Sequence, residues 1–365
     1  LDAAALGGDR SQFPRDGVVQ LYHLRYEQAL PDGLSALVVQ RLFQLRDAQA
    51  AAMFVPDNVW YDSARGRFQL LQAAVLRRQP DGTWRTAGEG TDGGDIPGWG
   101  VNRPRQIHLP NLRAGDRVAL LYAIIPEPRP DWSQLGGRFL GNMFALRDSF
   151  PTLRARYVLA SRAPIAASAV GLAPPRTGVD GAGLPARSWE ADHQPAFFSS
   201  DNGPAITDVS PFVQVGGFDT WSAMASWYSD LLASRSRFSP ELTARLQTIA
   251  QPGAAVAGPG QAREIVARVW AYLARHLSYL GNESGVHAYV PDPAGQIFQA
   301  GRGDCKDGAL LLAAWLRAVG VEADVALVRT PAMGRLAPER DGHVAATVAA
   351  FDHALVYVPI TGQWI

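Results

Sequence analysis

The feature that most constrains this chain is a change of period near residue 205. Before it, extended apolar segments are joined by turn signals. GVVQLYHLRYEQAL runs into Pro31-Asp32-Gly33 and then SALVVQRLFQL, and GRFQLLQAAVLRR runs into Pro80-Asp81-Gly82 and a strand start at Thr83-Trp84. Such pairs predict hairpins, because glycine supplies the positive φ the turn needs and proline presets its first corner. DRVALLYAIIPEP, an almost unbroken apolar run stopped by proline, predicts a central strand, and RARYVLASRAP predicts another. Many short strands separated by turns predict an all-β sandwich over residues 1–205. The glycine-rich GEGTDGGDIPGWG (88–100) predicts a loop, since neither its spacing nor a following helix fits a phosphate cradle.

After DNGPAITDVSPF the period becomes helical. Trp221, Met224, Trp227 and Leu231 mark one apolar stripe, and Ile265, Val269, Leu273 and Leu277 mark another; both predict core-facing helices. Between them, Ser239 is placed to cap a helix with Pro240 at its first position and Glu241 behind it. SYLGNESGVHAYVPDPAGQIFQAGRG predicts a long irregular approach to a leucine-rich helix that starts near Cys305 and stops at Gly320. VEADVALVRT and DHALVYVP read as strands around a loop, PAMGRLAPERDG. The second domain, 206–365, is therefore α+β.

Composition removes several functions. Formal net charge is zero, with 47% hydrophobic and 19% charged residues, so the chain is globular and lacks the basic footprint of a nucleic-acid binder. A single cysteine excludes internal disulfides and zinc sites built on several thiolates. His343 and His353 lack the helical spacing and further ligands of a metal site, and nothing implies a cofactor. No apolar run is long enough for a transmembrane helix. The first residues, LDAAALGGDR, lack an initiator Met, a basic start and a signal-peptide core, so a fragment of a longer precursor is expected.

The cysteine sits in a marked place. GRGDCKDGALLL (301–312) puts Cys305 between Asp304 and Lys306, the only lysine in the chain, directly before the leucines. With Asp304 at the N-cap, Cys305 falls in the first helical turn, where free N–H groups and the helix dipole favour negative charge. A buried structural cysteine would sit on the apolar stripe instead. The position predicts a thiol pKa lowered from about 8.5, with the positive field of Lys306 adding to the effect. A cysteine nucleophile needs a base. His353, which opens the strand Ala354–Val358, and His343, which follows the loop, are the candidates.

Gly-Asp-Cys-Lys-Asp, the leucine-rich helix ending in Gly-Val, and Phe-Asp-His-Ala-Leu-Val-Tyr-Val (351–358) closely resemble the transglutaminase-like core, a papain-like cysteine fold. The chain is similar in particular to bacterial proteins in which that core follows a β-sandwich domain of unknown function. The resemblance is specific at 301–320, good at 351–359 and weak before 205. It implies Cys305 as nucleophile and His353 as base, with Asp352 where the family often has Asn. It also implies an acidic third member just beyond the segment that QWI begins; the sequence stops at Ile365, so the domain is expected to be cut short there. The implied activity is cysteine-dependent acyl transfer on peptide or protein amides, by hydrolysis or transamidation, in an extracytoplasmic (periplasmic or secreted) setting. The alternative is a non-catalytic binding or scaffold module that retains the fold. A redox sensor would need a resolving cysteine that the chain does not have.

Overall fold

The fold is described from a computed structural model over residues 13–55, 59–64, 66–97, 102–127, 130–136, 138–200, 202–253, 256–281, 285–334, 336 and 345–365. Contacts group the chain into two compact units. One takes the chain up to Asp219 together with Gly334–Thr347; the other takes Thr220–Met333 and Val348–Ile365.

The first unit is β-rich, as expected. Its strands begin with β1 (Val18–Ala29) and β2 (Ser35–Leu45), followed by the short helix α1 (Ala48–Met53). Next come β3 (Val59–Asp62), β4 (Gly66–Arg78), β5 (Trp84–Glu89), β6 (Thr91–Asp95), β7 (Asn102–His108) and β8 (Arg117–Pro126). Then follow β9 (Asn142–Ala145), β10 (Thr152–Ala160), β11 (Ala166–Val170), β12 (Arg176–Val179) and β13 (Pro185–Gln194). A single turn, α2 (Ile206–Val209), and β14 (Phe212–Gly216) complete it.

Eight strands form one sheet in the order β12-β13-β10-β1-β2-β8-β4-β5. Both Pro-Asp-Gly turns form as expected: Gly33 and Gly82 have φ of 83° and 86°, and Asp32 and Asp81 accept from the N–H two residues on. The central-strand expectation also holds, since β8 lies between β2 and β4. Two three-stranded sheets cover one face of the large sheet. β3-β7-β6 shares a core with Phe43, Val118 and Leu120, and β11-β14-β9 shares one with Ala155, Tyr157 and Trp189. Ala155, His23, Arg41 and Leu120 stand in one cross-strand row, so both cores lie on the same face.

The middle of that row is polar. Arg41 pairs with Asp148 at 2.8 Å and donates to Gln20 at 2.9 Å, and His23 Nδ1 lies 3.3 Å from Asp148. Glu27 accepts from Tyr157 and from Asn142, each at 3.0 Å. Of the glycine-rich stretch 88–100, residues 98–100 lie outside the described residues, and 88–97 departs from the loop expected of it. It completes β5 and forms β6, which pairs with β7 and is fastened by Arg105 to Asp92 (2.6 Å) and Asp95 (2.8 Å).

The second unit holds α3 (Trp221–Ala233), α4 (Pro240–Ala250), α5 (Pro259–His276), β15 (Ser278–Tyr279), α6 (Ala294–Ala300), β16 (Arg302–Gly303), α7 (Cys305–Ala318), β17 (Asp324–Val328), β18 (His353–Val358) and β19 (Gln363–Trp364). Ser239 caps α4 by accepting from the Leu242 N–H. α7 is buried on almost every side, with Ala309–Leu316 all in the core. A helix apolar all round must be central, which accounts for the leucine run. It packs on Ile265 and Val269 of α5 and on Ala354, Val356 and Val358 of β18. Burying each of its leucines contributes roughly 1.5–3 kcal/mol. The sheet is β17-β18-β19, antiparallel. The stretch before Cys305 is less irregular than its sequence suggests, because it contains α6. No described helix is long and apolar enough to cross a membrane.

Candidate active site

The approach to Cys305 is shaped by two glycines. Gly301 ends α6 in the left-handed region (φ 60°), which a side chain would disfavour. A Cβ on Gly303 would lie 2.6 Å from the Asp307 Cβ, so only glycine lets β16 run this close to the start of α7. Asp304 then caps the helix. Its Oδ1 accepts from the N–H groups of Lys306 (3.1 Å) and Asp307 (3.2 Å), and Asp307 accepts in return from the Asp304 N–H at 3.1 Å. This is a reciprocal capping box. Asp307 also accepts from the Asp292 N–H at 2.9 Å, fastening the preceding loop. The Lys306 ammonium folds back into an ion pair with Asp304, and all three charged residues are buried.

That cap changes the chemistry expected of the thiol. The sequence predicts a lowered pKa; the structure gives the opposite direction. Burial pushes the Cys305 thiol up, and the Asp304 charge adds to this. Lys306 and the N–H groups of Ala354 and Lys306 act in the other direction but are outweighed. The physical reason is that Asp304 occupies two of the first-turn N–H groups and pairs with the lysine that was expected to favour the thiolate. Cys305 therefore rests as a half-buried neutral thiol.

His353 opens β18 opposite Val328 of β17. Along β18, Ala354, Val356 and Val358 face the core while His353, Leu355 and Tyr357 are half-buried. Cys305 and His353 line one cavity of about 290 Å³, together with Tyr228, Tyr289, Phe351 and Asp352. Among the described residues, no hydrogen bond reaches the His353 ring. Asp352 does not orient it: its two oxygens accept from the backbone N–H (2.7 Å) and hydroxyl (2.5 Å) of Thr330. His343, the other candidate base, lies outside the described residues.

Sequence reasoning missed Tyr228. The stripe read on α3 was Trp221, Met224, Trp227 and Leu231, but the buried row is Met224, Tyr228 and Leu232. The i, i+4, i+8 spacing of those three was the available signal, with a polar tip in the middle of an apolar row. Phe351 also reaches the cavity, its ring edge-on to Trp221 at 5.7 Å.

Residues 249–365 match the family described as the transglutaminase-like superfamily. No curated protein matches the sequence at a significant level. Among solved structures, one from Parabacteroides distasonis, described as a "putative protease", aligns over 96% of this chain and 67% of its own, with 15% identity and a TM-score of 0.69. At that identity the likeness is one of fold. An M1 zinc metallopeptidase E323A mutant from Deinococcus radiodurans, bound to a Tyr-Ser-Ala substrate, aligns over 54% of this chain and 42% of its own, at 13% identity and a TM-score of 0.29. Leukotriene A4 hydrolase from Saccharomyces cerevisiae aligns over 57% and 30%, at 7% identity and a TM-score of 0.27. Similarity at that level carries no structural argument. The fold and the family match agree on the C-terminal part of the chain: behind a large β-rich region, residues 249–365 form a transglutaminase-like domain.

Proposed function

We propose that this protein is a cysteine-dependent acyl-transfer enzyme acting on peptide or protein amides. The observation that carries the reading is that Cys305, in the first turn of α7, and His353, at the start of β18, line the same cavity of a transglutaminase-like domain. Cys305 Sγ attacks the amide carbonyl as its proton passes to His353. The C–N bond then breaks, and the amine leaves with the proton returned by the imidazolium. The resulting thioester is opened by water or by an amine, giving an acid or a new amide and restoring the thiol. Because the thiol rests protonated, His353 must take its proton during attack rather than hold a ready-made thiolate. The family resemblance further favours an extracytoplasmic setting.

The raised thiol is the one observation that favours the second reading, a non-catalytic scaffold. The test is release of amine from a mixed library of unmodified peptides by the wild type and by Cys305→Ala. Release by the wild type alone supports the enzyme. Equal, background release from both supports the scaffold.

A further inference from the structure

Tyr228 is buried, with 5% of its surface exposed, yet its hydroxyl has no hydrogen-bond partner among the described residues. The oxygen is not one of the sealed, unpartnered polar atoms among the described residues, so it opens to solvent instead of meeting a protein acceptor. The same side chain lines the cavity that contains Cys305.

A second donor is left over at the same place. In the first turn of α7, the N–H groups of Asp304, Lys306 and Asp307 are all taken by the capping box. The Cys305 N–H has no acceptor among the described residues. Among the described residues, one neutral O–H and one backbone N–H without a protein acceptor therefore belong to two residues that line the same cavity, while the charged groups of the helix start are paired. Fixed donors without a resting protein partner, facing a partly open cavity, are what a developing negative charge needs.

We propose that the Tyr228 hydroxyl, with the Cys305 N–H, holds the carbonyl oxygen of the substrate as Sγ attacks and that oxygen becomes an oxyanion. The proposal rests on the acyl-transfer reading above and names a catalytic residue for it. In the step, the S–C bond forms, the carbonyl π pair moves onto oxygen, and the thiol proton goes to His353. The phenol gives up no proton; it only donates a hydrogen bond. Burial, then the charges of Cys305, Asp304 and Asp307, hold the Tyr228 phenol well above its ordinary pKa, so it stays a donor throughout the accessible pH range.

The variant is Tyr228→Phe, which keeps the ring and removes one oxygen. Three readouts are taken on the wild type and the variant: acylation by p-nitrophenyl acetate, alkylation by iodoacetamide and the thermal unfolding midpoint. Alkylation displaces iodide at a saturated carbon and makes no oxyanion, so it reports on the thiol alone. The expected result is a loss of acylation of about a hundredfold, with unchanged alkylation and a nearly unchanged midpoint, because the hydroxyl bonds no other described residue. Unchanged acylation in an active protein would overturn the proposal and leave the acyl-transfer reading intact. Parallel loss of acylation and alkylation would place Tyr228 on the thiol instead, and would also overturn it. So would failure of the variant to fold, since the hydroxyl would then be holding the structure. A wild type that is not acylated at all would bring down the acyl-transfer reading itself.

Discussion

The two units bury polar groups in different ways. In the β-rich unit, the buried row between the two small sheets is charged and mostly paired: Arg41 on Asp148 and Gln20, His23 on Asp148, and Glu27 on Tyr157 and Asn142, with the Arg25 Nε left without a partner among the described residues. In the second unit the charges gather at the start of α7, where Asp304, Lys306 and Asp307 satisfy one another. The same cavity is lined by a thiol, a phenol and an imidazole, none of which bonds another side chain among the described residues. A paired network specifies a core, whereas unpaired neutral groups converging on a cavity are available for a reaction. Burial of polar groups alone would not have separated the two regions.

The sharpest break of that contrast is Cys305→Ala. Acyl transfer is expected to fall by roughly 10⁴-fold or more, while urea unfolding shifts by no more than about 1 kcal/mol. Loss of stability with little loss of activity would make the cysteine a packing residue. His353→Gln comes next, with an expected loss of about 10³-fold as the general base is removed. The resting thiol adds a pH test. Because burial and Asp304 push it up, the rate of iodoacetamide alkylation should rise with pH around a midpoint above about 8.5. In Asp304→Asn the midpoint should move down, since a negative charge is lost and the Lys306 charge is freed. A wild-type midpoint below 8.5 would restore the thiolate expected from sequence and contradict the structure.

In the first unit the contrast predicts stability without activity. Removing one partner of the Arg41–Asp148 pair, as in Arg41→Ala, should cost about 3 kcal/mol and leave the alkylation rate of Cys305 unchanged. The same pair sets an acid limit. Burial alone would raise the Asp148 carboxyl, but the hydrogen bond from His23 and the charge of Arg41 outweigh it and hold the carboxyl well below its usual range. Burial, against the lift from Asp148, keeps the His23 imidazole low. A depressed carboxyl contributes stability that is present above the unfolded value of about 3.9 and fades as pH falls through it toward the folded value. Arg41→Ala should therefore flatten the acid limb of a stability–pH curve measured between about pH 5 and 2. A limb as steep as in the wild type would mean that other carboxylates dominate it. The smallest effect belongs to Asp352→Asn. Its carboxylate serves Thr330, so a loss of about 1 kcal/mol and less than tenfold in turnover is expected.

What could be read from sequence was what sequence holds in one piece. The Pro-Asp-Gly hairpins, the Ser239 cap and the helix from Cys305 are each specified within a dozen residues. β6 was illegible because Thr91–Asp95 is extended by pairing with β7 and by Arg105, not by its own glycines. α6 has no side-chain cap to announce it. The membership of Ala345–Thr347 in the first unit depends on partners far away in the chain. Ser168 accepts from the Ala345 N–H, Gln214 donates to the Ala345 carbonyl, and Thr347 donates to the Leu140 carbonyl. The direction of the thiol shift failed for a local reason. Sequence places Asp304 and Lys306 beside the sulfur but does not say that they pair with each other.

The central claim is that Cys305 forms an acyl-enzyme in the folded protein. Intact-mass spectrometry after brief exposure to p-nitrophenyl acetate, followed by peptide mapping, tests it most directly. The account predicts one acetyl group, located on Cys305, that forms faster than on the urea-unfolded chain and slows markedly in His353→Gln. No adduct on the folded protein would contradict it, as would an adduct on another side chain or one that forms no faster than on the unfolded chain.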